Sequence, residues 1–271
     1  ERINEIHELE NEENDNLIKK DFTQGGFPII LKHISFKYNL HVRKKTIDDV
    51  DFTIPQGKIT AIVGASGSGK TTLIKLILGF YHVIDGSIYI GDTNINYMNM
   101  KSWRRQCGVV MQDGVIFSES IARNIAIDDS EIDENRLHHV AAIANITDFI
   151  NSLPLGYQTK IGNEGIGISN GQKQRILIAR AVYKNPQYIF LDEATNSLDA
   201  ENEKVIVNNL SSFYNGKTVV IVAHRLSTVK NADQILVINK GRIVETGAHS
   251  ELINIRGYYY NLIKNQLEIG N

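Results

Sequence analysis

The chain has 271 residues, of which 42% are hydrophobic and 22% charged, enough apolar sequence to form a large core without disulfides or metal ions. Lysine and arginine total 29 against 31 acidic residues, and this near-neutral balance argues against nucleic acid as a partner. The only cysteine, Cys107, lies in an apolar run and is expected to be a buried core residue, so a cytosolic location is preferred. No apolar run approaches the roughly 20 residues of a membrane-spanning helix.

Residues 1–22 are highly charged, with Ile3, Ile6 and Leu9 at helical spacing ahead of an acidic run. One interpretation is a solvated tail. The other, which we favour, is the end of a long helix that arrives from an upstream domain and continues into an acidic linker. The absence of an initiator methionine agrees with the expectation that the chain is part of a longer protein.

Residues 23–271 are expected to form one α/β domain. From Phe27 the sequence alternates apolar and polar residues in PIILKHISFKY and IDDVDFTI, the pattern of half-buried antiparallel strands. KITAIVG then indicates a fully buried strand that ends at Gly64, and a loop rich in glycine and serine leads into the helical run KTTLIKLILGF. Residues 87–97 indicate a strand and a turn, and CGVVMQ indicates another buried strand.

Between about 113 and 182 the periodicity is helical, in IARNIAI, ENRLHHVAAIANITDFINSL and GQKQRILIARAVY, which predicts an inserted helical subdomain. YIFLDEA and KTVVIVAH follow as buried strands around a helical stretch, the βαβ alternation of a parallel sheet. ADQILVINKGRIVETG predicts a hairpin and GYYYNLIKNQLEI a closing helix. The predicted fold class is therefore α/β: a mainly parallel sheet, an N-terminal antiparallel β-subdomain and an inserted α-helical subdomain.

The loop GASGSGKTT matches the pattern G-x-x-x-x-G-K-[ST] between a buried strand and a helix, the context that a phosphate-binding loop requires. Its glycines let backbone amides turn toward phosphates, and the helix N-terminus adds about half a positive charge. The alternative, a glycine-rich turn without a ligand, does not explain the lysine and the two threonines. Lys70 is expected to reach the β- and γ-phosphates, and Thr71 to ligate Mg²⁺. The sequence thus predicts a P-loop NTPase core that binds ATP through Gly64, Ala65, Ser66, Gly67, Ser68, Gly69, Lys70, Thr71 and Thr72.

Two adjacent carboxylates, Asp192 and Glu193, follow the strand in YIFLDEA at the edge where parallel sheets place their ligands. Asp192 is the natural partner of Mg²⁺, through water, while Glu193 is placed to polarise the water that attacks the γ-phosphate. Such a pair can also serve only as a helix N-cap, but the phosphate loop favours the catalytic interpretation. His224 ends the next buried strand, where it is expected to hold the γ-phosphate, the water and Glu193 in register; the alternative is a structural histidine.

The stretch GISNGQKQRILIARAVYKNPQYIFLDEATNSLD contains a Ser-x-Gly-Gln element at the start of a helix, about twenty residues before the carboxylate strand. It resembles the signature motif of ABC ATPases, and the resemblance covers residues 27 to about 265. The resemblance implies that Tyr38 stacks on adenine and that Gln112 contacts Mg²⁺ and senses the γ-phosphate. It also implies that the signature contacts the ATP bound to the other subunit and that Asp199 crosses the dimer interface. The signature residues are Ser169, Asn170, Gly171 and Gln172.

Two positions depart from the family pattern. ISNGQ stands where LSGGQ is usual, so Asn170 replaces a glycine near the γ-phosphate. Asparagine tolerates a left-handed backbone, so the loop is expected to keep its shape while the side chain loosens the ATP-bound dimer. TKIGNEG, residues 159–165, resembles the TEVGExG loop through which exporters contact the membrane domain. Asn163 occupies the usual glutamate position, and Glu164 follows it as a substitute.

The resemblance implies an ATP-hydrolysing motor domain of an ABC exporter, which forms a head-to-tail dimer around two Mg-ATP. Its other partner would be a transmembrane domain, at the cytoplasmic face of the membrane. GNEGIGISNGQKQRILIARAVYKNP further resembles peptidase-containing exporters of bacteriocins and similar peptides; lipid, drug and other exporters of this layout are the alternatives. A soluble ABC ATPase that remodels DNA or ribosomes is disfavoured by the near-neutral charge and by the lack of a second ATPase unit. A non-hydrolysing regulatory module is disfavoured by Glu193 and His224, and only Asn170 favours it.

Overall fold

The computed structural model describes residues 19–22, 25–39, 41–127, 129–194, 198–223 and 226–269. Ten strands form two sheets in these described ranges, and helices pack around them. Most of residues 1–22, which are predicted to be the end of a helix and an acidic linker, lies outside the described residues. No helix in the described part is both long enough and apolar enough to cross a membrane.

The strands and helices follow the chain in the order that the sequence patterns predict. The strands are β1 (Ile29–Phe36), β2 (Ile47–Ile54), β3 (Ile59–Val63), β4 (Asp85–Ile90), β5 (Thr93–Asn94), β6 (Cys107–Val110), β7 (Tyr188–Asp192), β8 (Thr218–Val222), β9 (Gln234–Asn239) and β10 (Arg242–Gly247). The α-helices are α1 (Lys70–Ile77), α2 (Met100–Arg105), α3 (Ile121–Ile125), α4 (Glu134–Ile143), α5 (Thr147–Asn151), α6 (Asn170–Tyr183), α7 (Ala200–Phe213), α8 (Leu226–Val229), α9 (His249–Ile255) and α10 (Tyr258–Ile269).

The smaller sheet has the order β2-β1-β4-β5, and its strands pair antiparallel. β2 shows why: Val50, Phe52 and Ile54 are buried while Asp51 and Thr53 between them are exposed. Such alternation places one face of a strand on the core and the other in solvent. The predicted N-terminal antiparallel subdomain is confirmed.

The larger sheet has the order β10-β9-β3-β8-β7-β6, with every neighbouring pair parallel except β10 on β9. Its central strands bury both faces, since Phe190 and Val220 lie in one hydrophobic core and Ile189 and Val219 in the other. A strand whose residues are all apolar must be covered on both faces, and the two cores provide that cover. This agrees with the buried strands that the apolar runs predict. The register pairs Asp192 with Val222, so β7 and β8 end at the same edge of the sheet.

Helices α3 to α6 form the helical region, but ENRLHHVAAIANITDFINSL is two helices rather than one continuous pattern. α4 ends at Ile143, and the left-handed Asn145, with φ of 51°, follows the capping residue Ala144. The amide of Asn145 donates to Ala142, and that of Ile146 donates to Ala141, each at 3.0 Å. This is the Schellman arrangement, in which a left-handed residue closes the last helical turn. The break separates α4 from α5, which begins at Thr147.

Candidate functional site

The phosphate-binding loop connects β3 to α1 and folds around its own lysine. The Lys70 Nζ donates hydrogen bonds to the carbonyls of Gly64 and Ala65, both at 3.0 Å. Gly69 caps α1 in the left-handed region, with φ of 110°, and a Cβ there would lie 2.9 Å from the Thr46 carbonyl oxygen. A larger residue would therefore be strained and would press against the chain before β2. The amides of the first turn of α1 are left without intrahelical acceptors, as in any helix, and suit an anion.

Lys70 is a buried cation close to two carboxylates. Burial lowers the pKa of Lys70 because it disfavours the ammonium, and attraction to Glu193 and Asp192 opposes that shift. The ammonium is thus held in a poorly solvated position, where its attraction to a phosphate is stronger than in water.

Asp192 ends β7 with its side chain completely buried. Neither of its carboxylate oxygens has a well-aligned hydrogen-bond partner in the described part of the chain. Burial raises the pKa of Asp192, and the nearby Thr71 hydroxyl and Lys70 ammonium only partly offset that effect. Buried carboxylates are normally paired or bound to a cation. Two orphaned carboxylate oxygens next to a hydroxyl fit Mg²⁺, which prefers oxygen ligands.

Glu193 follows Asp192 in a backbone conformation that is rare for a non-glycine residue, with φ of 53°. Its amide donates to the Val222 carbonyl at 3.1 Å, and its carbonyl accepts a bond from the Gln174 Nε2 at 3.0 Å. The carboxyl end of β7 thus brings Asp192 and Glu193 to the phosphate loop, as the strand pattern predicts. His224, the third predicted member of this group, lies outside the described residues.

Tyr38 lies beside the phosphate loop, because its hydroxyl and that of Thr72 are hydrogen-bonded at 3.0 Å. The Tyr38 side chain is 54% exposed. Its ring meets Phe36 and Tyr81 edge to face, with centroids 4.9 and 5.2 Å apart. Tyr81 is an aromatic neighbour that the sequence patterns did not reveal, since only the folded chain brings it to Tyr38.

The predicted signature forms the start of α6. Ser169 caps the helix: its Oγ accepts from the Gln172 amide at 3.2 Å, and its own amide donates to the Gln172 Oε1 at 2.8 Å. As an acceptor in this capping box, the serine hydroxyl keeps its hydrogen for a further acceptor.

Asn170 does not have a left-handed backbone, so the loop does not depend on the tolerance of asparagine for that conformation. Ser169 takes the extended conformation of an N-cap, so Asn170 is the first helical residue, and it is not among the residues with positive φ. Glycine at this position is therefore not required by the backbone.

Asp199 and Gln112 are both exposed. Asp199 caps α7 and accepts hydrogen bonds from the Asn202 amide at 2.9 Å and from the Asn202 Nδ2 at 2.6 Å, which lower its pKa. Gln112 lies exposed in the turn after β6. The same turn leads to Val115, whose carbonyl accepts a bond from Arg180 of α6 at 2.7 Å. Neither Gln174 nor Arg180 was recognised from the sequence.

Comparison with known proteins gives the family. Residues 47–196 match the family described as ABC transporter. The chain belongs to this family. As a member it is an ATP-binding and ATP-hydrolysing domain of exporter type, and the predicted fold class is confirmed by a structural match. A bacterial Atm1-family ABC exporter with ATP bound superposes with a TM-score of 0.87 at 33% identity, covering 93% of this chain and 44% of that one.

Several curated relatives of this ABC domain are transport proteins. The toxin RTX-III translocation ATP-binding protein of Actinobacillus pleuropneumoniae is 46% identical over 241 residues, which are 89% of this chain and 34% of the relative. The ATP-dependent lipid A-core flippase of Saccharophagus degradans is 43% identical over 264 residues, 97% of this chain and 44% of the relative. Multidrug resistance protein 1 of Entamoeba histolytica is 43% identical over 88% of this chain and 18% of its own length. The chain thus spans less than half the length of each of these relatives.

Proposed function

We propose that this domain hydrolyses Mg-ATP at the site formed by the phosphate loop, Asp192 and Glu193. The observation that carries the proposal is the convergence of a buried lysine, an unsatisfied buried carboxylate and a second carboxylate at one sheet edge. Lys70 and the loop amides bind the β- and γ-phosphates, while Thr71, Gln112 and Asp192 hold Mg²⁺. When bound, Mg²⁺ neutralises charge on the phosphate oxygens. Tyr38 stacks on the adenine through its exposed ring.

In the proposed reaction Glu193 acts as the general base. It accepts a proton from a water molecule as the water oxygen forms a bond to the γ-phosphorus and the bond to the β-phosphate oxygen breaks. The products are ADP and inorganic phosphate. His224, which follows Ala223 in the sequence, is proposed to hold the water and the γ-phosphate.

The second half of each site is proposed to come from another copy of this domain, or from a similar one, in a head-to-tail dimer. Ser169 to Gln172 bind the partner's γ-phosphate through the start of α6, and Asp199 crosses the interface. Ser169 and Asn170 are both exposed and open a helix of 14 residues, and Asp199 opens another. Such helix N-termini supply amides and positive charge for an anion.

The other proposed partner is a transmembrane domain of the same exporter, which would place this domain at the cytoplasmic face of a membrane. Val115 and Phe117 of the turn after β6 are exposed apolar side chains of the kind that protein interfaces cover. The loop over residues 159–165 is held by the buried Ile161 and by an ion pair of 3.1 Å between Lys160 and Glu164. This anchoring leaves the neighbouring Asn163 on the outside of the loop.

For the cargo we propose a peptide of the bacteriocin type. The similarity to a toxin translocation protein and an exotoxin translocation protein, at 46% and 45% identity, supports a toxin as the cargo, the class to which bacteriocins belong. A lipid is the second candidate, supported by the flippase relative that aligns with 97% of this chain.

The substitution Glu193→Gln tests the proposed chemistry. The amide keeps the shape of the side chain but cannot accept the proton, so the ATPase rate is expected to fall about 100-fold or more while ATP binding persists. Phosphate release and binding of a fluorescent ATP analogue measure the two quantities. Glu131→Gln, at an exposed position outside the site, is the control and is expected to retain the wild-type rate. Hydrolysis by Glu193→Gln at the wild-type rate would remove Glu193 from the mechanism.

A further inference from the structure

The backbone of Glu193 is held in a conformation that it would not adopt unaided. A non-glycine residue with φ of 53° costs free energy and persists only where its surroundings impose it. Two hydrogen bonds fix the two peptide groups of this residue. The amide is bound to Val222 of the adjacent strand, and the carbonyl is bound to the side chain of Gln174.

These two bonds come from different parts of the fold. The bond to Val222 extends the pairing of β7 with β8, so it belongs to the sheet. The bond from Gln174 comes from α6, near its start, where the Ser169–Gln172 capping box fixes the first turn. The helix that begins with the signature therefore reaches the peptide of Glu193 through one side chain.

We propose that Gln174 is a positioning residue, which holds the Glu193 peptide in the left-handed conformation that directs the carboxylate to the nucleotide. This inference rests on the proposed function of Glu193. Without the Gln174 donor the Glu193 carbonyl loses this hydrogen bond. The peptide then relaxes toward negative φ, which reorients the Cα–Cβ bond. The same hydrogen bond transmits any displacement of α6 to the catalytic carboxylate, so the helix that meets one nucleotide aligns the base at another.

Gln174→Met is the direct test, because methionine has nearly the same length and no N–H donor. One neutral hydrogen bond corresponds to a loss of about 5- to 10-fold in kcat. The KM for ATP and the affinity for the ATP analogue are expected to stay at wild-type values. Gln158→Met, an identical change at an exposed glutamine, is the matched control and is expected to leave the rate unchanged. A Gln174→Met variant with the wild-type kcat, or with a raised KM alone, would refute the positioning role.

A double-mutant cycle separates positioning from a general loss of fold. In the Glu193→Gln background there is no base to position, so adding Gln174→Met is expected to cause no further loss of the residual rate. An equal loss in both backgrounds would show a merely structural role and overturn the inference. If Glu193→Gln itself keeps the wild-type rate, the proposed function fails; if it is inactive and Gln174→Met is fully active, only the present inference fails.

Gln174→Lys keeps an N–H donor at a similar reach and guards against poor folding of the methionine variant. It is expected to recover a measurable part of the kcat that Gln174→Met loses. Equal losses in the two variants, with unchanged melting temperatures, would contradict a role for the donated hydrogen bond.

Discussion

Asp192 is a completely buried carboxylate whose oxygens lack well-aligned partners in the described part of the protein. Burial raises its pKa above the usual value of 3.8. A group whose pKa is raised on folding favours the folded state below its ordinary pKa, and that contribution is lost as the pH rises through the folded-state value. At neutral pH the ionised side chain therefore opposes folding until a cation binds.

The substitution Asp192→Asn is accordingly expected to stabilise the nucleotide-free domain at pH 7. Removal of a buried charge that its neighbours only partly offset is worth about 1–2 kcal/mol, or roughly 2–6 °C in melting temperature for a domain of this size. Calorimetry without nucleotide measures the gain, which should shrink as the pH falls toward 4 and the wild-type carboxyl becomes protonated. The same variant should lose the stabilisation that Mg²⁺ and ATP give the wild type.

Asp92→Asn changes an exposed aspartate in the turn between β4 and β5 and is the control, with an expected shift near zero. A lower melting temperature for Asp192→Asn at neutral pH would show that the ionised carboxylate is already satisfied within the protein.

The site residues fall into two groups according to how far the sequence reveals them. Lys70 and Asp192 follow from local patterns, because a motif between a buried strand and a helix dictates where its side chains go. Gln174 and Tyr81 do not follow from such patterns, because each acts on a residue far away in the sequence. Gln174 contacts Glu193, 19 residues away, and Tyr81 contacts Tyr38, 43 residues away. Helical periodicity shows only that such residues lie on a helix or in a turn.

Among the elements, α6 is fixed to the segment after β6 by one arginine. The Arg180 guanidinium donates to the carbonyls of Asn124 and Val115, each at 2.7 Å, and to the Asn124 Oδ1 at 3.1 Å. Asn124 is fully buried and in turn exchanges two hydrogen bonds with the backbone of Phe117. Arg180 also lies over the Phe117 ring, 5.4 Å from its centroid. The segment that begins near Gln112 thus takes its shape from α6.

The substitution Arg180→Met is expected to destabilise the domain by about 2–4 kcal/mol, because it leaves three acceptors without their charged donor. Burial lowers the pKa of Arg180 to about 10, because a partly buried guanidinium is less well solvated than one in water. Urea denaturation measures the loss, and faster proteolysis of the 115–124 segment should accompany it.

Arg123→Met removes the exposed arginine of α3, which donates to the Asp129 carbonyl at 2.7 Å, and is expected to cost less than about 1 kcal/mol. Similar costs for the two variants would mean that the Arg180 bonds contribute no more than a surface contact.

Element types were largely predictable, whereas element ends were not. The buried strands of the larger sheet follow from apolar runs, since only a strand covered on both faces can be apolar throughout. The end of α4 is followed by the left-handed residue Asn145. The carbonyl of Asn145 accepts a hydrogen bond from Arg175 of α6 at 2.8 Å. Arg175 is 30 residues away along the chain, so the local pattern of ENRLHHVAAIANITDFINSL does not predict this contact.

At the scale of the whole molecule, the proposed dimer brings two cationic phosphate loops and two helix N-termini together around ATP. Without nucleotide these positive regions oppose each other, and the domain is expected to stay apart from its partner. In this proposed dimer, Asn170 is expected to face the γ-phosphate of the ATP bound to the partner. Because it is the first residue of α6 with an ordinary helical backbone, its side chain adds bulk that the fold does not require.

The substitution Asn170→Gly is therefore expected to tighten ATP-dependent dimerisation of the Glu193→Gln variant by about 10-fold and to raise the ATPase rate of the otherwise wild-type domain. An obstruction of 1–2 kcal/mol at the interface corresponds to that change. Glycine weakens a helix by up to about 1 kcal/mol, so the melting temperature should fall while the dimer becomes tighter. Asn135→Gly, at an exposed position of α4, controls for this helix effect and should leave dimerisation unchanged. Light scattering with and without ATP measures the equilibrium, and a weaker dimer with glycine would instead make the Asn170 amide a ligand of the γ-phosphate.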